Sequence, residues 1–161
     1  RYDQEEIHVR PEPALSYVRD LIDTLTGTRP EPDGDGDLPV SWRGADFYVR
    51  VIGQDAIVQV FSVVLADLPA DPELTVALND INTQLKFARI FHVADQVLIE
   101  LDIWADDVDP ANFGDACHKV AAASDHFGRR LLEVFGGTPR WEHSKSDDYQ
   151  PPDAPGGGLY L

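Results

Sequence analysis

The sequence predicts an α+β fold: a two-layer sandwich with helices on one face of a largely antiparallel five-stranded sheet. Three observations predict it. Three segments space their apolar residues three and four apart, the period of a helix with one buried side, and five others alternate with a period of two. Consecutive strands are joined by short runs of turn-forming residues, so they pair as antiparallel hairpins. The expected order is α-β-β-β-α-β-β-α.

Residues 1–12 are polar and charged and read as a lead-in. Pro13 suits the first turn of a helix, where its missing N–H costs nothing. Leu15, Val18, Ile22 and Leu25 give that helix one apolar stripe, and Gly27 ends it, so it spans 13–26. Residues 28–39 hold three prolines, two glycines and several acids, and read as a loop. Val40 and Trp42 suggest a short strand ended by Gly44. Phe47, Val49 and Val51 then alternate with Tyr48, Arg50 and Ile52, up to a tight turn at Gly53-Gln54-Asp55. The third strand, 56–65, carries Ile57, Phe61 and Val63 on one face and Val58, Val60 and Val64 on the other. Being apolar on both sides, it wants cover on both sides, and one helical layer supplies only one.

Asp71 can cap a second helix that opens at Pro72, with Leu74, Leu78, Ile81 and Leu85 as its stripe. Strands follow at 87–93 and 97–104. In the latter Val97, Ile99, Leu101 and Ile103 face one way, and Leu98, Glu100, Asp102 and Trp104 the other. Asp109-Pro110 repeats the capped start and opens the longest helix, 110–135. Its buried stripe is Phe113, Cys117, Val120, Ser124, Phe127, Leu131 and Val134, and Gly136-Gly137 stops it. The folded domain is thus 13–137. Residues 138–161 read as a flexible tail rich in Pro and Gly, tipped by the apolar triplet Leu159-Tyr160-Leu161.

Composition narrows the function. The 161 residues hold 29 Asp+Glu against 13 Lys+Arg, a formal net charge of −16. Such a surface repels phosphate backbones and anionic lipid, so neither nucleic acid nor membrane is an expected partner. The longest apolar runs, such as Val63–Ala66, fall far short of the roughly 20 residues that span a bilayer. A lone cysteine excludes an internal disulfide and suits a reducing cytoplasm.

Candidate chemistry is sparse. Asp33, Asp35 and Asp37 alternate as in a calcium loop, but the sixth and twelfth places hold Leu38 and Gly44 where an EF-hand needs Gly and Glu. The histidines, His8, His92, His118, His126 and His143, are scattered without zinc-ligand spacing. Cys117 lies on the apolar stripe of the last helix, where a thiol behaves as a small hydrophobe. No Gly-rich phosphate loop, nucleophile elbow or His-Glu-x-x-His motif is present. The expectation is a non-enzyme with no catalytic residue, metal or cofactor. Asn79 and Asn82 are more telling. Asn is a weak helix former, and two at i and i+3 share one side of the second helix, where their amides can tie it to a strand edge or loop.

The element order and several local marks resemble the YbjN and type III secretion chaperone-like superfamily. The marks are Val60-Phe61-Ser62-Val63, the Leu-Asn-x-x-Asn segment at 78–82, Phe87-Ala88-Arg89, and a last helix with Ala121-Ala122-Ala123-Ser124-Asp125 running into Phe135-Gly136-Gly137. The resemblance covers roughly 12–137. It implies a small, acidic, cytoplasmic homodimer that holds extended segments of a client protein along an apolar groove and hydrolyses nothing. The residues point the same way: an apolar sheet face without cover predicts a binding patch or subunit interface, and a client strand can also add to a sheet edge. Tyr48, Ile52, Val58, Val60 and Trp104 are the side chains expected to meet a client. The alternative is a regulatory or structural domain that pairs with itself or with one fixed protein partner.

Overall fold

The computed structural model describes residues 12–52 and 57–141. Its elements in chain order are α1 (Glu12–Thr26), β1 (Leu38–Trp42), β2 (Ala45–Ile52), β3 (Ile57–Ala66), α2 (Pro72–Asn82), β4 (Ala88–Val93), β5 (Gln96–Trp104), α3 (Pro110–Phe135) and β6 (Thr138–Pro139). The strands form one antiparallel sheet in the order β1-β2-β3-β5-β4, with β6 paired to the end of β3. The lead-in before residue 12, the turn at 53–55 and the triplet at 159–161 lie outside the described residues.

Helix starts follow the caps legible in the sequence. The Asp71 side chain accepts from the Glu73 N–H, and Asp109 accepts from Ala111 and Asn112 while the Asn112 amide accepts from the Asp109 N–H. Two hairpins turn on only two residues each. Trp42 pairs with Ala45 across Arg43-Gly44, and Val93 with Gln96 across Ala94-Asp95. All four turn residues have positive φ, between 49° and 79°, which matches the right-handed twist of the flanking strands.

All three helices pack on the same side of the sheet, into one core with Phe47, Val49, Val58, Val60, Val64, Ile90, Val97 and Ile99. From α3 this core receives Phe113, Cys117, Val120, Phe127 and Leu131. Val134, placed by its spacing on the same stripe, is instead 73% exposed; in the last turn it is Leu132 and Phe135 that pack against the core.

The domain continues beyond residue 137. Positive φ at Gly136 and Gly137 reverses the chain, and a Cβ on Gly137 would approach the Ala66 carbonyl to 2.9 Å. Thr138 and Pro139 then pair with β3, the Arg140 N–H donates to the Val64 carbonyl at 3.1 Å, and the Asp46 N–H donates to the Trp141 carbonyl at 3.2 Å. The chain is thereby wedged between the diverging ends of β2 and β3. Trp141 is only 2% exposed, and its ring fills the space above Gly128, where a Cβ would come within 2.8 Å. Residues 138–141, expected in the tail, are thus paired with and packed against the sheet. A single tryptophan in a polar stretch has no periodicity to announce its burial.

Candidate functional site

With the helices on one side, no element among the described residues lies over the opposite face of the sheet. Register and alternation fix what it displays: Tyr48, Arg50 and Ile52 from β2; Ile57, Gln59, Phe61 and Val63 from β3; Leu98, Glu100, Asp102 and Trp104 from β5; Arg89, Phe91 and Val93 from β4. Of the five side chains expected to meet a client, Tyr48, Ile52 and Trp104 lie here. Val58 and Val60 do not. Both are 0% exposed and point into the helical layer. Antiparallel pairing sets Tyr48 opposite Phe61 and Ile52 opposite Ile57, so the odd-numbered side of β3, not the even-numbered one, shares their face. Ile57 and Phe61 take the place expected for the two valines.

The face is more thoroughly covered by its own side chains than a two-sided apolar strand suggests. Tyr48 stacks on Phe61 with ring centroids 5.4 Å apart, and the Arg50 guanidinium lies 4.8 Å from the same ring. Arg50 is held there by Asp37, whose two carboxylate oxygens each accept at 2.5 Å. That bond and the surrounding acids Asp37, Asp35 and Asp33 raise the Arg50 pKa further, so the cation is permanent. Phe61 is left 6% exposed. Towards β4, Gln59 donates to Asp102 at 2.9 Å, and Arg89 bonds Glu100 and approaches Asp102. This polar ladder crosses the middle of the face. Beyond it, at the end where Ile52, Ile57 and Trp104 meet, the surface is apolar, and Trp104 is 59% exposed.

At the opposite end of the face is a concavity of about 580 Å³, bounded by Pro39, Tyr48, Val63, Gln96, Pro139 and Arg140. Ser41 and Asp46 also line it and bond each other at 2.6 Å. No histidine is among its lining residues, so this pair has no imidazole base beside it.

The sheet edges differ. At β4 the Asn82 side chain donates to the Ile90 carbonyl at 2.8 Å and accepts from the Ile90 N–H at 2.9 Å. One amide thus takes both main-chain groups that a neighbouring strand would use, and it ties α2 to the sheet. Asn79, expected to share this work, is exposed, and its carbonyl serves the helix end by accepting from the Thr83 N–H. At the other edge, β1 carries Pro39, a residue without an N–H to offer.

The remaining candidates resolve into structural roles. Asp33 accepts from the Asp35 and Asp37 N–H groups and Asp37 pairs with Arg50, so these carboxylates organise a turn. Among the described residues no cluster of three or more His, Cys, Asp or Glu is placed to hold a metal ion. His92 Nε2 bonds the Leu68 carbonyl at 2.7 Å, His126 packs edge-on against Phe127, and His118 is exposed; His8 and His143 lie outside the described residues. Burial pushes the Cys117 thiol up to about 12, far from a nucleophile's range. No helix among the described residues is long and apolar enough to cross a membrane. Phe87, expected to open the strand at 87–93, instead lies just before β4 with φ of 67° and is 85% exposed. Its ring lies 5.7 Å from the Lys119 Nζ.

Residues 12–143 match the family model described as T3SS (YopN, CesT) and YbjN peptide-binding chaperone 1. The chain belongs to this family. The match spans the whole helix–sheet unit and ends just past Trp141. A solved structure with the same fold is that titled "Crystal Structure of the ExsC-ExsE Complex", at 12% identity and a TM-score of 0.59, covering 73% of this chain and 95% of that one. No curated protein matches the sequence. The three helices and antiparallel sheet are thus those of the chaperone fold.

Proposed function

We propose that this member of the peptide-binding chaperone family holds an extended segment of a client protein on the open face of its sheet, without catalysing a reaction. One observation carries the reading: among the described residues every helix packs on one side, leaving Tyr48, Ile52, Ile57 and Trp104 on a face that no described element covers. The Asn82 amide favours the face over the β4 edge, since it already occupies the Ile90 main-chain groups. The structural neighbour, solved as a complex of ExsC with ExsE, supports a protein client for this fold. An acidic exterior of −16 suits a client segment that is neutral or basic.

The test is affinity purification from the native host, identification of the co-purifying protein, and titration of its synthetic segments. Trp104→Asp places a charge in the exposed apolar end and is expected to weaken binding at least tenfold while leaving the melting temperature within a few degrees. Unchanged affinity in a folded Trp104→Asp protein rejects the open face as the site. A second reading, pairing with another copy or one fixed partner, is favoured by Phe87, exposed on a different surface. A Phe87→Ser protein that sediments as a lighter species than the parent supports it.

A further inference from the structure

We infer that the exposed end of the open face holds an arginine side chain of the client, stacked on the Trp104 indole and bonded to the Asp102 carboxylate. The inference rests on the open face being the client site. It names the residue type that this end of the site selects.

The chain builds the same arrangement twice from its own residues. On the open face the Arg50 guanidinium lies 4.8 Å from the Phe61 ring centre and is bonded to Asp37. The Arg89 guanidinium lies 5.9 Å from the Phe91 ring centre and is bonded to Glu100. Each set is a ring, a guanidinium over it, and a carboxylate that holds the guanidinium in place. Trp104 and Asp102 supply a third ring and a third carboxylate, and among the described residues no arginine or lysine lies over this indole. Strand lengths explain why this end stays open. β4 begins at Ala88, opposite Leu101, so β5 runs on past it and no β4 residue stands beside Asp102 or Trp104. On the other side Gln59 pairs with Asp102 and Ile57 with Trp104, and neither carries a charge.

Charge and geometry both favour a cation here. Arg89 bonds Glu100 and lies 3.5 Å from Asp102, whose other partner is the neutral Gln59 amide. Two carboxylates against one guanidinium leave a negative charge over, in a protein of net charge −16. Arg50 does not supply the balance, since Asp37 holds it on the far side of Gln59. Trp104 is 59% exposed and the Asp102 side chain 39%, so both are open to a partner. Two positions apart on one strand, they point the same way and stand about 7 Å from each other at ~3.3 Å per residue. A guanidinium within ~6 Å of the ring centre spans that gap. Indole is the best aromatic face for a cation, and the planar, weakly hydrated guanidinium suits ring and carboxylate together better than an ammonium does. Trp104→Asp still weakens a client of this kind, because it removes the ring, and an exposed ion pair returns no more than about fivefold in affinity.

The experiment titrates the full chain with the capped peptide Ser-Leu-Arg-Leu-Ser and with analogues carrying citrulline or Glu in place of Arg. Citrulline keeps the shape of arginine and removes its charge. Magnetic resonance shifts of the Ile52 and Ile57 amides and the Trp104 indole report binding. The parent is expected to prefer the Arg peptide over citrulline by about tenfold, with the Glu peptide weakest. Asp102→Asn keeps an acceptor for Gln59 and is expected to cut the preference to about threefold. Trp104→Leu keeps an apolar surface and is expected to cut it by a similar factor. The two substitutions together should abolish it. Equal affinity of the parent for the Arg and citrulline peptides, with Ile57 and Trp104 shifting in both, overturns the arginine subsite and leaves the open face as the client site. An Arg preference that survives the double substitution also overturns the subsite, since the charge is then read elsewhere. Failure of every peptide to shift Ile52, Ile57 or Trp104 overturns the subsite and the open-face reading together.

Discussion

Parity along β3 decides which of its side chains share the open face with Tyr48 and Ile52. Val58 and Phe61 are both apolar members of one strand, yet one faces α3 and the other the open side, because Tyr48 pairs with Phe61 and Ile52 with Ile57. Cys117 shows the cost of burial in another form. Its thiol is raised from an ordinary value of 9.0 to about 12 by desolvation, so between those values the unfolded chain ionises and the folded one does not. The unfolded state then binds fewer protons, and stability falls as pH rises. Stability is therefore full below pH 9 and is expected to drop by up to about 1.4 kcal/mol per pH unit above it. Urea titrations at pH 8 and pH 10 should show the drop in the parent and a smaller one in Cys117→Ala. Equal slopes would sink the argument.

At the scale of elements, one amide joins a helix to a strand. Asn82 lies at the end of α2, and its two bonds to Ile90 fix the approach of that helix to the edge of the sheet. Asn82→Ala leaves the Ile90 groups to find other partners and is expected to cost about 1–3 kcal/mol. Asn79→Ala, on an exposed position, is expected to cost under about 0.5 kcal/mol. Denaturation midpoints of the two variants measure the difference directly, and equal costs would contradict the lock. The pair at i and i+3 was legible as an anchoring device, but only one member anchors. A spacing of three places two residues on one side of a helix without saying which reaches the strand. Helix starts were easier to read, since Asp71-Pro72 and Asp109-Pro110 satisfy or dispense with local N–H groups.

For the whole molecule, 29 acids against 13 basic residues make self-repulsion a general term opposing compactness. Screening by salt weakens it, since the Debye length shrinks from about 10 Å at 0.1 M to about 3 Å at 1 M. The melting temperature is expected to rise between 0.02 M and 0.5 M sodium chloride. A fall would mean that pairs such as Arg50–Asp37 outweigh the repulsion.

The sequence by itself determined the order of helices and strands, the capped starts of α2 and α3, and the inward stripe of Phe113, Cys117, Val120 and Phe127. Each of these is set by neighbours within a few positions, and local periodicity records it. Only the tertiary structure decided that Val58 and Val60 belong to the core, that Ile57 joins Trp104 on the outside, and that Trp141 returns to close the gap between β2 and β3. Those outcomes depend on partners brought together from distant parts of the chain, such as Gln59 with Asp102 or Trp141 with Gly128. An apolar strand flanked on both sides can turn either face to the helices, and the choice is made by how the whole sheet is paired.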